Sequence, residues 1–311
     1  MIVTGKTGFS GEGRAILYDE NMKILVDTGW SDNLITDNGL DLLHQGGAFN
    51  RFYIGSGATA PTVSDTEMQS YLPGGQSNTP GAGDNVESGV LGGPDYEYWK
   101  IRSRRFAAGI GTGTVAEIGM GKSTDNTGTD IFNRIVLGVP IVKGAQNILD
   151  VLFRLTVWPP VITTQAGTSV IAGITYDTVT LGSIYTSASF MDGGSAFSTI
   201  AATGVQRWSA FDGLIGTVEG APAGDDGPMI GAINTAIYVP GDYFIDVTAD
   251  ADIGGFVTAT DVIRCIKGSM VHFEFQTEYT EAAGEPNPGD PIPKDSTEIA
   301  DLTWRIGWGR K

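Results

Sequence analysis

Strict one-by-one alternation of apolar and polar side chains constrains this chain more than any other feature. In residues 149–158, Leu149, Val151, Phe153, Leu155 and Val157 fall on one side, and Asp150, Arg154 and Thr156 on the other. In residues 271–279, Val271, Phe273, Phe275 and Tyr279 alternate with His272, Glu274, Gln276 and Glu278. Near the end, Leu302, Trp304, Ile306 and Trp308 alternate with Thr303, Arg305 and Gly307. A period of two is written by strands with one face on a core and one face toward water, the habit of antiparallel sheets.

Other segments agree. Residues 15–18 and 23–26 flank Asp19-Glu20-Asn21 and read as a hairpin with a polar turn. The chain holds 45 glycines and 14 prolines without a three-residue period, which excludes collagen and predicts many tight turns. Helical signals are short. Residues 33–44 predict a small helix capped by Thr36 or Asp37, with Leu40, Leu42 and Leu43 on its apolar side. Ser64-Asp65-Thr66-Glu67 has the form of a capping box before Met68, Tyr71 and Leu72 and predicts a second. Residues 73–94, 219–228 and 281–295, rich in Gly and Pro, predict long loops. The expected fold is all-β, an antiparallel β-sandwich or jelly-roll-like protein with two short helices and long loops. Pro159-Pro160 marks a change of composition. The expected division is residues 1–160, then residues 161–311 as an acidic second domain or an extension of the same sheet.

Charge narrows the partners. The net charge is −17. Residues 1–160 hold 12 Lys/Arg against 17 Asp/Glu, and residues 161–311 hold 7 against 19, so the halves carry −5 and −12. Such a chain repels a phosphate backbone, so no nucleic-acid partner is expected. An acidic shell keeps a free subunit soluble before it assembles. No stretch approaches the roughly 20 apolar residues of a membrane span. Gly5, Thr7 and Gly8 stand where a secretory leader needs an apolar core. Cys265 is the sole cysteine, which excludes an internal disulfide and fits folding in a reducing cytoplasm.

Two segments imitate nucleotide-binding loops. Residues 116–123, AEIGMGKS, end in Gly121, Lys122 and Ser123, but Ala116 stands where the phosphate loop needs its first glycine. The polar run of residues 124–130 cannot start the required helix. Residues 55–60, GSGATA, follow Phe52-Tyr53-Ile54 like a dinucleotide fingerprint, yet Pro61 comes at once and no βαβ crossover can be placed, so the segment reads as a Gly-rich β-turn. His44 and His272 are the only histidines and no G-x-S-x-G elbow exists. Cys265, in the apolar run of residues 262–266, reads as a buried small hydrophobe. Asp250, Asp252 and residues 125–130 have oxygen-rich spacing without the later ligands of a calcium loop. A glycosidase pair needs carboxylates near in space rather than in sequence, so the sequence leaves that reading open. No catalytic, cofactor or metal-binding residue is nominated.

The one basic cluster is Lys100, Arg102, Arg104 and Arg105. On a strand, Lys100, Arg102 and Arg104 share a face. That face is either an edge guarded by charge or a cationic strip for the acidic surface of a neighbouring copy. With Trp99, Trp208 and Trp308 they form the candidate interface, although the tryptophans have an equal reading as core.

Residues 15–157 resemble tailed-bacteriophage virion structural proteins. The resemblance lies in segment order: ILYDENMKILVDTGW, NLITDNGLDLL, FYIGSGATAPTVSDTEMQSYL, RFAAGIGTGTVAEIGMG and NRIVLGVPIVKGAQNILDVLFRLTVW. It implies a short helix after N-L-I-T, and an A-E-I-G strand that pairs with the later strands. It also implies a non-enzymatic virion protein made in the bacterial host cytoplasm. Such proteins act in multiple copies at the tail, neck or collar, or as head decorations or head fibres. Their partners are copies of themselves and the portal, tail or capsid. A glycan-binding fibre component is the alternative class, and would bind sugar in isolation. A wall hydrolase is a third, and would need a cleft with a close carboxylate pair.

Overall fold

In the computed structural model, which describes residues 3–45, 51–90, 97–121, 127–158, 165–171, 173–184, 205–216, 222–224, 232–235, 238–251, 262–270, 273–293 and 300–311, one long strand organises the rest. This is β1 (Val3–Tyr18). Its second half turns at Asp19 into β2 (Ile24–Asp27). The Asp19 carboxylate accepts the Asn21 and Lys23 amides at 2.9 Å each, so the polar tripeptide closes the hairpin read from the sequence. Next come β3 (Ser31–Ile35) and α1 (Asp37–Gln45). Thr36 caps the helix: its Oγ1 accepts the Gly39 amide at 2.8 Å and donates to the Ile131 carbonyl at 3.0 Å.

The chain continues through β4 (Arg51–Gly55), β5 (Tyr71–Ser77), β6 (Val86–Val90), β7 (Glu97–Phe106), β8 (Gly113–Gly121), β9 (Ile131–Lys143) and β10 (Ile148–Trp158). Pairing runs β1–β3–β9–β8–β4–β5 in one direction and β1–β10–β7 in the other. The ends approach where Arg105 donates its amide to the Thr79 carbonyl at 2.8 Å and Pro80 bridges to Arg104. The result is a nearly closed, barrel-like, mostly antiparallel sheet. Phe9, Leu17, Phe52, Ile54, Ile118, Ile135 and Phe153 fill it, and Phe52 meets Phe153 edge-on at 5.0 Å. Lys143, buried at one end of β9, donates to the Ala107 and Asn147 carbonyls at 2.9 and 2.8 Å. Burial holds its pKa below the ordinary lysine value.

The later strands are β11 (Gln165–Ile171), β12 (Ile174–Ile184), β13 (Val205–Phe211), β14 (Ala232–Thr235), β15 (Phe244–Ala251), β16 (Val262–Ile263), β17 (Cys265–Met270), β18 (Phe273–Glu281), β19 (Ile292–Pro293) and β20 (Ala300–Arg310). Five of them form a second antiparallel sheet in the order β11-β12-β18-β17-β13. β14, β15 and β20 instead extend the first sheet, and β20 joins β1 in parallel. Residues after 160 therefore build a sheet of their own and also rejoin the first one. The join is fastened at α1. Trp308 Nε1 donates to the Leu40 carbonyl at 2.9 Å and its ring stacks on Tyr238 at 5.4 Å. The Tyr238 hydroxyl donates to Asp41 at 2.5 Å, and Arg310 Nε donates to the Ile35 carbonyl at 2.6 Å.

Two expectations are corrected. The capping-box segment of residues 64–67 starts no helix. Asp65 accepts from the Thr62 amide and hydroxyl to make a turn, the Met68 amide donates to the Gly128 carbonyl at 2.8 Å, and Ile131 donates to Thr66. Partners some 60 residues away take the groups that a helix would have used, leaving α1 as the one helix among the described residues. Residues 73–94 are not one loop either: β5 and β6 occupy 71–77 and 86–90, and residues 79–85 bond along the edge of β7. Of residues 281–295, 282–291 form a compact turn between β18 and β19, with the Glu281 side chain accepting the Asn287 amide at 2.6 Å, and 294–295 lie outside the described residues. Of residues 219–228, only 222–224 are described.

Candidate interaction surface

The two nucleotide-like segments lie side by side in the barrel wall. Residues 113–121 are strand β8, so the glycines of AEIGMG are strand residues; Lys122 and Ser123 lie outside the described residues. β8 pairs with β4 and β9 but not with β10. The GSG of residues 55–57 ends β4 and does bind an anion through backbone N–H, as a phosphate loop would, but the anion is the chain's own Glu117. Its carboxylate, without exposed surface, accepts the Gly57 amide at 3.1 Å, the Gln69 amide at 3.1 Å, the Ser70 amide at 2.7 Å and Arg134 Nε at 2.6 Å. A Cβ on Gly55 or Gly57 would stand 2.3 or 2.6 Å from Glu117 Oε1, which explains the glycines. Arg134 also donates to Asp65 at 2.7 Å and to the Thr59 carbonyl at 2.9 Å. The pair clamps residues 56–70 over the outer wall, where Met68 and Tyr71 cover Tyr53 and Ile131. Burial opposes the charge on Arg134, but the carboxylates of Glu117 and Asp65 outweigh it and raise its pKa.

The candidate interface residues divide. Trp308 is buried against Tyr238 and α1. Lys100, Arg102 and Arg104 do share a strand face, as expected, but it is the inward one, opposite Leu155, Phe153 and Val151 of β10. Lys100 and Arg104 are buried, and Arg104 lies over Phe52 at 5.6 Å. Asp84 pairs with Arg102 and Arg104 at 3.2 and 3.0 Å. Burial, more than its neighbours, lowers the pKa of Arg104. Lys100, Arg102 and Arg104 thus lie on the face that the barrel curls inward, and Trp308 is buried separately where β20 meets α1. The backbone of Trp208 lies in β13, and its side chain is outside the described residues. Trp99 alone among the described candidates sits half-buried on an outer face.

That outer face, formed by β2, β1, β10 and β7, brings together residues that sequence reasoning did not nominate. Trp30, Trp99 and Trp158, half of the chain's six tryptophans, lie on it half-buried. The Arg154 guanidinium lies between Trp30 at 5.2 Å and Trp99 at 5.7 Å and is paired with Glu12 directly across the β1–β10 ladder. Arg14 lies over Trp30 at 5.9 Å and pairs with Asp27. Lys311 Nζ stands 3.3 Å from the centre of the Trp158 ring, whose Nε1 donates to Ser10 at 3.1 Å. Asp150 and Arg105, opposite one another in register, bond at 2.6 and 2.8 Å. Beneath these, Ile16, Tyr18 and Leu152 form a small apolar cluster. Asp150 and Thr156, expected on the water-facing side, are buried on this face, and Arg154 is half-buried.

The face is suited to protein contact. Indole and guanidinium groups dominate binding energy at interfaces, and rings and carboxylates already hold these in place, so little side-chain freedom remains to be lost. Each cation–π contact contributes about 0.5–1 kcal/mol at an exposed site. Arg14, Arg105 and Arg154 are paired here with Asp27, Asp150 and Glu12, and Lys311 lies over Trp158. Of the other motifs, Cys265 is the reactive group that the described residues include. Cys265 is buried, and burial beside Glu278 pushes its thiol up to about 12. His272, Asp125 and Asp252 lie outside the described residues. Among the described residues, no cluster of His, Cys, Asp or Glu has metal-holding geometry. Comparison with known protein families, curated proteins and solved structures finds no match for this chain.

Proposed function

We propose that this chain is a non-enzymatic structural protein of a tailed-bacteriophage virion, assembling in multiple copies at the tail, neck or collar. The observation that carries the proposal is that the phage-like segments, residues 15–157, correspond to consecutive elements of one barrel rather than being scattered over the fold. The half-buried Trp30–Arg154–Trp99 cluster supports it by giving that barrel a surface suited to neighbouring subunits. The internal use of GSG by Glu117 supports it from the other side, since the segment that most imitates a cofactor site already holds an anion. We also take the barrel to be flattened into a sandwich-like, jelly-roll-related form. The support is that Phe52 of one wall and Phe153 of the opposite wall touch across the core.

Quantitative mass spectrometry of purified virions tests the reading. The chain should be present at many copies per particle, in a fixed ratio to tail or neck proteins. Absence from the particle would refute it. A ratio that tracks the capsid protein would move the chain to head decoration, and glycan-array binding by the isolated protein would favour the fibre class.

A further inference from the structure

We infer that the edge strand β11 is a self-association edge, on which β11 of a second copy adds in antiparallel fashion to join two five-stranded sheets into one. Edge strands expose a row of unpaired N–H and C=O groups, and proteins guard them with charge, proline, bulges or brevity. Other described edges carry such guards: β13 has a register shift, β5 has Pro73, β2 has Asp27 and a register shift, β14 is four residues long, and β16 and β19 are two residues each. β11, QAGTSVI, has none. It pairs with β12 over seven residues in unbroken register, and among the described residues with nothing else. Its outer face is open: Ala166 and Thr168 are exposed, and Val170 is 68% exposed.

The occupant follows from the strand itself. Antiparallel pairing of β11 with its own copy over its full length centres on Thr168. On the outer face Thr168 then meets Thr168, and each Ala166 meets Val170 of the other copy. Threonine pairs and apolar pairs are both favourable cross-strand neighbours. Charge points the same way. In a chain of net charge −17, copies can meet only where carboxylates do not oppose one another, and β11 has no charged residue. The nearest carboxylate in register is Asp177 of β12, opposite Thr168. In the joined sheet the two Asp177 side chains stand three strand spacings apart, about 14 Å. That exceeds the screening length of about 8 Å at physiological salt. The inference does not depend on where in a particle the chain resides.

Sedimentation of the full chain tests it. The wild-type protein should show a reversible, concentration-dependent dimer. Thr168→Lys and Thr168→Glu each place like charges directly opposite, and should each weaken the dimer about fivefold or more. Both should keep the wild-type circular dichroism and melting temperature, since residue 168 is exposed. An equimolar mixture of the two variants should recover dimer as a heterodimer, because the opposed charges now attract. A monomer at every concentration up to the solubility limit overturns the inference. So does a dimer indifferent to both substitutions, or a mixture that shows no recovery. Detection of the chain in virions is a separate measurement, so failure here leaves the virion reading intact and the reverse also holds.

Discussion

Replacing Glu117 by glutamine changes the shape of the side chain very little and removes the charge at the centre of the barrel's outer clamp. One carboxylate oxygen accepts the Gly57 and Ser70 amides, and the other accepts the Gln69 amide and Arg134 Nε. A glutamine amide keeps one acceptor and turns its NH2 toward the other two donors. Arg134, which has almost no exposed side-chain surface, then keeps only Asp65 as a carboxylate partner. Removing one member of a buried ion pair costs about 3–5 kcal/mol, because the remaining charge is left in a poorly solvating place. At roughly 2–4 °C per kcal/mol, melting should fall by about 6–20 °C. Residues 56–70 should become the first site of limited proteolysis, since the clamp holds them against the wall. Differential scanning calorimetry with mapped proteolysis reads both effects. The double variant Glu117→Gln/Arg134→Met should recover part of the loss, because no cation is then stranded. A Glu117→Gln protein within about 1 kcal/mol of wild type, or a double variant worse than the sum of the singles, would refute the reasoning.

Three other outcomes are expected. Trp308→Ala should destabilise by about 3–5 kcal/mol through the lost ring and its bond to Leu40, and denaturant titration with circular dichroism measures it; a loss below about 1 kcal/mol would mean that β20 is not fastened to α1 by this ring. The Arg14 guanidinium, donating to the Asp27 carboxylate, holds Asp27 below its ordinary pKa of 3.8. Its stabilisation is therefore complete above that value and is lost as pH falls through the lower folded value, so Asp27→Asn should flatten the acid limb of a stability–pH curve, and an unchanged limb would contradict the pairing. Cys265, with its thiol pushed up to about 12, should resist a thiol reagent at pH 8 until the protein unfolds, and rapid labelling of the folded protein would contradict its burial.

Local chemistry was legible in the sequence, and long-range competition was not. Thr36 was readable as a helix cap and Asp19 as a turn because their partners lie within a few residues. The apparent capping box at residues 64–67 failed because Gly128 and Ile131, far along the chain, took the Met68 amide and the Thr66 carbonyl, and Arg134 took the Asp65 carboxylate. Alternation placed Lys100, Arg102 and Arg104 on one face, but period two cannot say which face a barrel turns inward. The strongest missed signal was Glu117, a lone carboxylate within the small and apolar run VAEIGMG. Read as part of a broken phosphate loop, it drew no attention. A charge inside such a strand calls for a buried partner, and Arg134 lies on the adjacent strand. Trp30 and Arg154 were missed for a different reason. They meet only after β1 and β10 pair, strands separated by more than a hundred residues.

A reconstruction of a tailed-phage particle that contains this chain, at a resolution that shows side chains, tests the central claim most directly. The account predicts repeated copies of the barrel with Trp30, Arg154 and Trp99 covered by a neighbouring subunit, and Glu117 still enclosed by residues 56–70. A particle in which the chain is missing, or in which that outer face points to solvent in every copy, would contradict it.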